Sequence, residues 1–173
     1  MEVVTVHPPT YKPTFRDFTR EDFKTRALMG FAELVDEAEK RSLKIAVENT
    51  SLKAYPARVN EFLELFSVIK SKSLGLTLDV GHAFITQLNG GDPLPLFLEK
   101  LREKLFNVHL HDNRGRRDEH LPLGTGLIPL KEFIQALINS GYTGPLIFEH
   151  PSNEAVLKSR EWLLNLLSRQ EVR

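Results

Sequence analysis

The sequence contains no cysteine among its 173 residues, so neither disulfide bonds nor thiolate metal ligands are available to the protein. Any metal ion must therefore be bound by histidine, aspartate or glutamate. An excess of charge of either sign is absent as well, because 23 basic residues balance 23 acidic ones. A net charge of zero gives no overall electrostatic attraction to nucleic acid or to a membrane surface, and only a local basic patch could supply one.

Long apolar runs are also missing. No stretch approaches the roughly 20 apolar residues of a membrane span, and the N-terminus lacks the pattern of a signal peptide. We therefore expect a cytoplasmic protein without a membrane partner. The length suffices for one domain with a sizeable core, and no linker or low-complexity tract divides the chain, so we predict a single domain over residues 1–173.

Five short apolar runs are typical of buried strands, and a helical pattern follows each of them. The predicted strands are Val3–Val6, Lys44–Val47, Leu74–Leu78, Phe106–Val108 and Leu146–Phe148. The predicted helices lie at about 19–40, 56–69, 83–88, 94–105, 128–140 and 154–169. Because the strands read as uniformly apolar rather than alternating, they favour a parallel sheet that helices cover.

Histidines and carboxylates follow the predicted strands. The histidines are His7, His82, His109, His111, His120 and His150, and the carboxylates are Glu48, Asp79, Asp112, Asp118 and Glu149. In a parallel α/β fold the carboxyl ends of the strands share one rim, where active sites are built. Imidazole nitrogen and carboxylate oxygen are ligands that zinc, manganese and iron accept. The pattern therefore predicts a divalent metal site at this rim, whereas the simpler alternative of polar surface loops leaves the clustering of the histidines unexplained.

An ordered series of motifs resembles the xylose-isomerase-like TIM-barrel superfamily, which includes sugar isomerases and epimerases and also endonuclease IV-type DNA-repair enzymes. The motifs are Glu48, DVGH at 79–82, HLHD at 109–112, DEH at 118–120, GTG at 124–126 and Glu149. The resemblance covers nearly the whole chain and implies an α/β fold of the parallel TIM-barrel type. That barrel has eight βα units in about 250 residues. The five units here match strands four to eight, so we expect an incomplete barrel.

The resemblance also implies roles for individual residues. One divalent ion (Mn, Zn, Mg or Co) would be held by Glu48, Asp79, His109 and Glu149. On a sugar or sugar phosphate, Glu48 and Glu149 would remove and return a proton beside the carbonyl group, and His82 would bind a substrate hydroxyl. Further substrate contacts are expected from His111, Asp112 and Arg116.

The endonuclease branch offers an alternative function, the cleavage of DNA at abasic sites. Further metal ligands would then be His7, His82, Asp118 and His120, and the phosphate contacts Arg114, Arg116 and Arg117. For these arginines a solvated loop is favoured, because the net charge gives no support for nucleic-acid binding. Two departures favour the isomerase branch. His111 stands where the endonucleases usually carry asparagine, and Pro-Pro follows His7 where they favour Pro-Gly.

A third interpretation follows from the incomplete set of strands. The partial barrel would be inactive and would act as an interaction module. In each case the open sheet edges are expected to recruit a second copy of the chain or a partner that supplies the remaining strands.

Overall fold

The computed structural model describes residues 2–12 and 19–168. Its sheet contains β1 (Val3–Val6), β2 (Lys44–Glu48), β3 (Leu74–Asp79), β4 (Leu105–Leu110) and β5 (Leu146–Phe148). These strands pair in parallel, in the order β1-β2-β3-β4-β5. Because the order never reverses, the sheet winds in one direction as a barrel does, without the switch point of a doubly wound sheet. The result is the predicted incomplete TIM barrel of about five βα units.

Helices connect and follow the strands. They are α1 (Arg20–Lys40), α2 (Val59–Val68), α3 (Val80–Leu88), α4 (Leu94–Leu101), α5 (Leu130–Asn139) and α6 (Asn153–Ser168). Thr19 caps α1 through a reciprocal pair of hydrogen bonds. The Thr19 hydroxyl accepts a hydrogen bond from the Asp22 N–H at 3.1 Å, and the Asp22 carboxylate accepts one from the Thr19 N–H at 3.0 Å. This pair satisfies two N–H groups that a helix start leaves without partners.

Three predicted helix boundaries are wrong. The helix predicted from residue 56 begins at Val59, with Arg58 as its N-cap. The helix predicted to run to residue 105 ends at Leu101, since a short 3₁₀ turn follows and Leu105 begins β4. The helix predicted after the third strand begins earlier than expected. Asp79 is its N-cap, and its carboxylate accepts the N–H of His82 at 2.6 Å, so that His82 lies in the first turn of α3 rather than before it. Residue 169, the predicted end of the last helix, lies outside the described residues.

The strands alternate between two faces, which corrects the prediction of uniformly apolar strands. In β3, Leu74, Leu76 and Leu78 belong to the core that the helices cover, whereas Gly75, Thr77 and Asp79 occupy the other positions of the period-two pattern. The parallel register brings equivalent residues of neighbouring strands onto this second, inner face. There the Thr5 hydroxyl lies 2.9 Å from that of Thr77 and accepts a hydrogen bond from the Asn107 amide at 3.2 Å. The inner face is therefore polar, and the residues at the strand ends continue it.

The two outer strands are less buried than the central ones. Val4 in β1 is 42% exposed and Ile147 in β5 is 39% exposed, whereas every residue of β3 is buried. Among the described strands, β1 and β5 each have a neighbour on one side only. Among the described residues, no helix is both long and apolar enough to cross a bilayer.

Candidate metal centre

Three side chains from neighbouring strand ends meet on the inner face of the sheet. Glu48 ends β2, Asp79 ends β3 and His109 lies near the end of β4. One ligand atom from each lies within 4.8 Å of the others. All three side chains are buried, with exposures of 1%, 0% and 5%. They come together because they follow Ala46, Thr77 and Asn107 by two residues. Alternate residues of a strand face the same side, so all three side chains point to the inner face.

Several buried polar atoms of this group lack an aligned hydrogen bond. Both carboxylate oxygens of Glu48, Oδ2 of Asp79 and Nδ1 of His109 form no hydrogen bond with the described residues. Leaving such an atom buried and unsatisfied costs about 1–3 kcal/mol, and more when the group is charged. A divalent ion would satisfy all four atoms at once, and two carboxylates with an imidazole are a suitable donor set for zinc or manganese. The residues therefore fit the metal that the sequence predicts.

Glu149 adds a fourth ligand candidate to the group. It follows β5, and its Oε1 lies 2.8 Å from Nδ1 of His109, without the alignment of a hydrogen bond. Its side chain is 32% exposed, which leaves it on the open side of the site. His7 also approaches the group. Its Nε2 lies 3.2 Å from Oε2 of Glu48, and its side chain is 73% exposed.

A second group of titratable side chains adjoins the first. Oδ2 of Asp118 lies 3.1 Å from Nε2 of His82 and 2.9 Å from Nε2 of His120. Nδ1 of His82 lies 3.0 Å from Oε1 of Glu48, so His82 joins the two groups. Burial opposes the charge on His82, yet Asp118 and Glu48 raise its pKa to about 11. Burial likewise opposes the charge on Asp118, but hydrogen bonding to His82 and the nearby histidines lower its pKa to about 2. In the metal-free protein these pKa values favour an ion pair between His82 and Asp118 at neutral pH.

His111 lies between the two groups and is fully buried. Its Nε2 is 3.2 Å from Oδ1 of Asp79 and 3.4 Å from Oδ1 of Asp118, and its ring stacks on His120 at 4.2 Å. The family resemblance implied a substrate-binding role for His111. With an exposure of 0%, the ring instead lies where it can fix the orientation of the Asp79 carboxylate.

The space for the His111 ring depends on the absence of a side chain at Gly81. A Cβ at residue 81 would overlap the imidazole of His111. We therefore expect Gly81→Ala to lower the free energy of unfolding by about 1–3 kcal/mol, as overpacking of a core does. Gly30→Ala is the matched control, because a Cβ there meets nothing within 4 Å. In the middle of α1 it should be neutral or stabilising by up to about 1 kcal/mol. Urea unfolding of both variants measures the difference, and equal stability would contradict the close packing of His111 on residue 81.

Asp112 was also assigned to substrate binding, and the structure does not support this assignment. Its carboxylate accepts hydrogen bonds from four backbone N–H groups, at 2.8, 3.0, 2.8 and 3.2 Å. The donors are those of Asn113, Gly124, Gly126 and Ile128. Asp112 is 0% exposed. It therefore holds the following loop in place, and no oxygen of it faces a ligand.

Sequence reasoning missed one residue that orders the site. The side-chain amide of Asn49 donates to the backbone carbonyl of Asp79 at 2.9 Å, and its oxygen accepts the Asp79 N–H at 2.8 Å. This pair of bonds fixes the end of β2, and with it Glu48, against the end of β3. The signal was present in the sequence, since Asn49 directly follows Glu48 at a strand end. His150, although at the rim, bonds to the His120 carbonyl and to Ser159 rather than joining either group.

Metal binding at this centre must compete with protons. Burial lowers the pKa of His109. The carboxylates of Glu149 and Glu48 raise it by more than burial lowers it, so the pKa lies above its ordinary value. In the metal-free protein the protonated ring therefore stabilises the fold below its ordinary pKa, about 6.5, and this contribution is lost as the pH rises through the raised pKa. A metal ion binds the neutral ring of His109, so the stabilisation by the ion should grow as the pH rises through this pKa.

We therefore expect Mn²⁺ to raise the melting temperature more at about pH 8 than at about pH 5.5, on either side of the ordinary imidazole pKa. Differential scanning calorimetry with and without the ion measures this effect. Equal shifts at both pH values would show that His109 is not a ligand.

Comparison with known proteins finds a family model and several relatives that match this chain. The model of the xylose isomerase-like TIM barrel family matches residues 1–166. The protein MJ1311 of Methanocaldococcus jannaschii is 34% identical over 96% of this chain and 56% of its own length. Fructoselysine 3-epimerase of Escherichia coli O157:H7 is 27% identical over 69% of this chain and 42% of its own length. The chain thus spans about half the length of the curated relatives that it matches.

Solved structures show the same fold. The crystal structure of a D-tagatose 3-epimerase-like protein superposes with a TM-score of 0.87 at 32% identity, over 99% of this chain and 65% of that one. The IolI protein, whose crystal structure contains a bound zinc atom, superposes with a TM-score of 0.74 at 22% identity, over 97% of this chain and 63% of that one. At this lower identity the second likeness concerns the fold alone.

Proposed function

Because the chain belongs to the xylose isomerase-like TIM-barrel family, we propose that it is a divalent-metal-dependent isomerase or epimerase of a sugar or sugar phosphate. The main support is the convergence of buried ligand atoms of Glu48, Asp79 and His109 that lack an aligned hydrogen bond. The similarity to fructoselysine 3-epimerase and to a D-tagatose 3-epimerase-like protein supports a hydroxy-ketone sugar as the substrate class.

In this proposal Glu48, Asp79, His109 and Glu149 hold the ion. The bound ion would supply Lewis-acid polarisation of two neighbouring substrate oxygens, which acidifies the C–H bond between them. Glu48 and Glu149 approach His109 from different strands, with oxygens 3.6 Å and 2.8 Å from its Nδ1. One carboxylate removes the proton from that carbon and the other returns it. A transfer to the opposite face of the carbon inverts its configuration.

The remaining side chains orient the substrate and the two acids. His82 lies against Glu48, with its Nδ1 3.0 Å from Oε1, and a ring N–H there would donate to a carboxylate or to a sugar hydroxyl. His111 acts as a positioning residue that holds Asp79.

Deuterium exchange tests the proposal directly. Ketoses such as D-tagatose and D-fructose are incubated in D₂O with the Mn²⁺-loaded protein, and NMR follows the proton on the carbon beside the carbonyl group. The proposal predicts exchange at that position, with or without net epimerisation. Exchange in the buffer control alone, with no protein-dependent rate for any ketose or ketose phosphate tried, would contradict it.

The endonuclease function remains as a second candidate because a further set of metal-ligating side chains lies beside the first. Among the described residues, His111, His120 and Glu149 also offer three ligand atoms within 4.8 Å of one another. Oε2 of Glu48 is approached by both His7 and His109, at 3.2 Å and 3.6 Å, as a bridging carboxylate requires. A site for two or three ions would suit phosphodiester cleavage. The number of ions bound per chain therefore separates the two functions.

A further inference from the structure

A pocket opens beside the candidate metal centre. Its volume is about 550 Å³, within the range of about 300–1,000 Å³ that is usual for ligand pockets. One wall is formed by His82, Ile85 and Thr86 of α3 and by its C-cap Asn89, whose spacing places them on one side of the helix. The other walls come from residues 50–53 and 116–118. His82 and Asp118 line the pocket, and they also belong to the group of titratable side chains that adjoins Glu48, so the pocket is continuous with the site.

The pocket is lined by three cationic side chains. Lys53, Arg116 and Arg117 line it, and none of them forms an ion pair with a described carboxylate. The neighbouring Arg114, in contrast, binds Glu119 at 2.7 Å. Among the lining residues Asp118 is the one acid, and its carboxylate is engaged by two histidines. The pocket therefore offers an excess of positive charge to a ligand.

The loop that carries the two arginines is fixed on α3. The Asn113 amide donates to the Gly81 carbonyl at 3.1 Å, and its oxygen accepts the Gly115 N–H at 2.8 Å. Gly115 has a φ of 79°, and a Cβ there would overlap the side chain of Leu88 on α3. Only glycine satisfies both conditions without strain. The turn is thus held against the helix that forms the pocket wall, and the arginines follow it directly.

We propose that this pocket binds an anionic end group, a phosphate or a carboxylate, of the sugar whose hydroxy-ketone end lies at the metal centre. Arg116 and Arg117 supply guanidinium donors, which match the oxygens of either group, and Lys53 supplies a further charge. His82 lies between the two subsites. This inference rests on the proposed function for the position of the sugar, and it restricts the substrate class to sugars with an acidic end group.

Three ketoses with the same carbon skeleton test the inference: D-fructose, D-fructose 6-phosphate and D-fructuronate. Calorimetric titration of the Mn²⁺-loaded protein should give at least about tenfold tighter binding for one or both anionic sugars, as charge-assisted hydrogen bonds would. The double variant Arg116→Gln/Arg117→Gln should lose this advantage and bind all three alike. The control Arg102→Gln removes an arginine before β4, at the opposite end of the sheet, and should keep it.

The titrations separate a failure of the pocket from a failure of the function. If D-fructose binds and neither anionic sugar binds more tightly, or if the advantage persists in the double variant, the inference is wrong while the proposed function stands. A further titration uses inorganic phosphate and metal-free protein, so that the ion cannot attract the anion. Phosphate binding that requires the two arginines, without any binding of D-fructose, would support the pocket and count against the proposed function. Absence of binding for every probe would contradict both.

Discussion

Replacing Glu48 or Glu149 by glutamine is expected to abolish deuterium exchange into a ketose substrate. Each substitution removes one negative charge from the ion site and one group that transfers a proton. Loss of general acid–base catalysis alone costs about 10²–10⁴-fold in rate, and weaker metal binding adds to this loss. Exchange rates measured by NMR at saturating Mn²⁺ give the effect.

Glu33→Gln is the matched control for these variants, because Glu33 is an exposed acid on α1 away from the strand ends. It should exchange like the unchanged protein. If Glu48→Gln or Glu149→Gln retained the full rate while remaining folded, the proton-transfer roles would be assigned to the wrong residues. His111→Asn should have a milder effect than either, because His111 positions Asp79 and does not transfer a proton.

A polypeptide of these 173 residues is expected to self-associate at micromolar concentration, or to be poorly soluble. β1 and β5 are the outer strands of the described sheet and leave backbone groups without a neighbouring strand. Their apolar side chains Val4 and Ile147 are 42% and 39% exposed. Unprotected edges of this kind pair with another chain, and burial of apolar surface contributes about 25 cal/mol per Å². Sedimentation velocity measures the distribution of species.

Val4→Lys should weaken this association, because a charged side chain on an edge strand opposes pairing. Met29→Lys is its control, since Met29 is also apolar and 60% exposed but lies on α1. A monomer that melts cooperatively would show that the edges of β1 and β5 do not drive association.

Most of the fold followed from local patterns in the sequence. Each strand begins within one residue of the predicted position, because β-branched and leucine-rich runs are bounded by clear breaks such as Pro8 and Gly141. The alternation of β3 was not predicted. The small and polar residues of LGLTLD face the interior of the barrel and are as buried as the leucines, so they do not mark a solvent-exposed face. The end of α4 was missed because Arg102–Lys104 continues a helical composition but forms a 3₁₀ turn that leads into β4.

The site was less predictable than the fold. That Glu48, Asp79 and His109 lie close together follows from strand ends and from the family resemblance. The behaviour of Asp112 and His111 depends on contacts with residues distant in the chain. Asp112 is satisfied by a loop that returns to it more than ten residues later, and His111 fits only because Gly81 on another element lacks a side chain. Such uses of a polar side chain are tertiary properties, and a motif alone does not reveal them.

If the strand ends form one divalent metal site, the metal content of the purified protein should reveal it. Protein is loaded with Mn²⁺ or Zn²⁺, dialysed, and measured by mass spectrometry of the metal, in parallel with Asp79→Asn. The account predicts about one exchangeable ion per chain, held by the His109 and carboxylate donors typical of such sites, and lost in Asp79→Asn. Two or three ions would favour the endonuclease function. The absence of any bound ion under all conditions, or equal metal content in Asp79→Asn, would contradict the account.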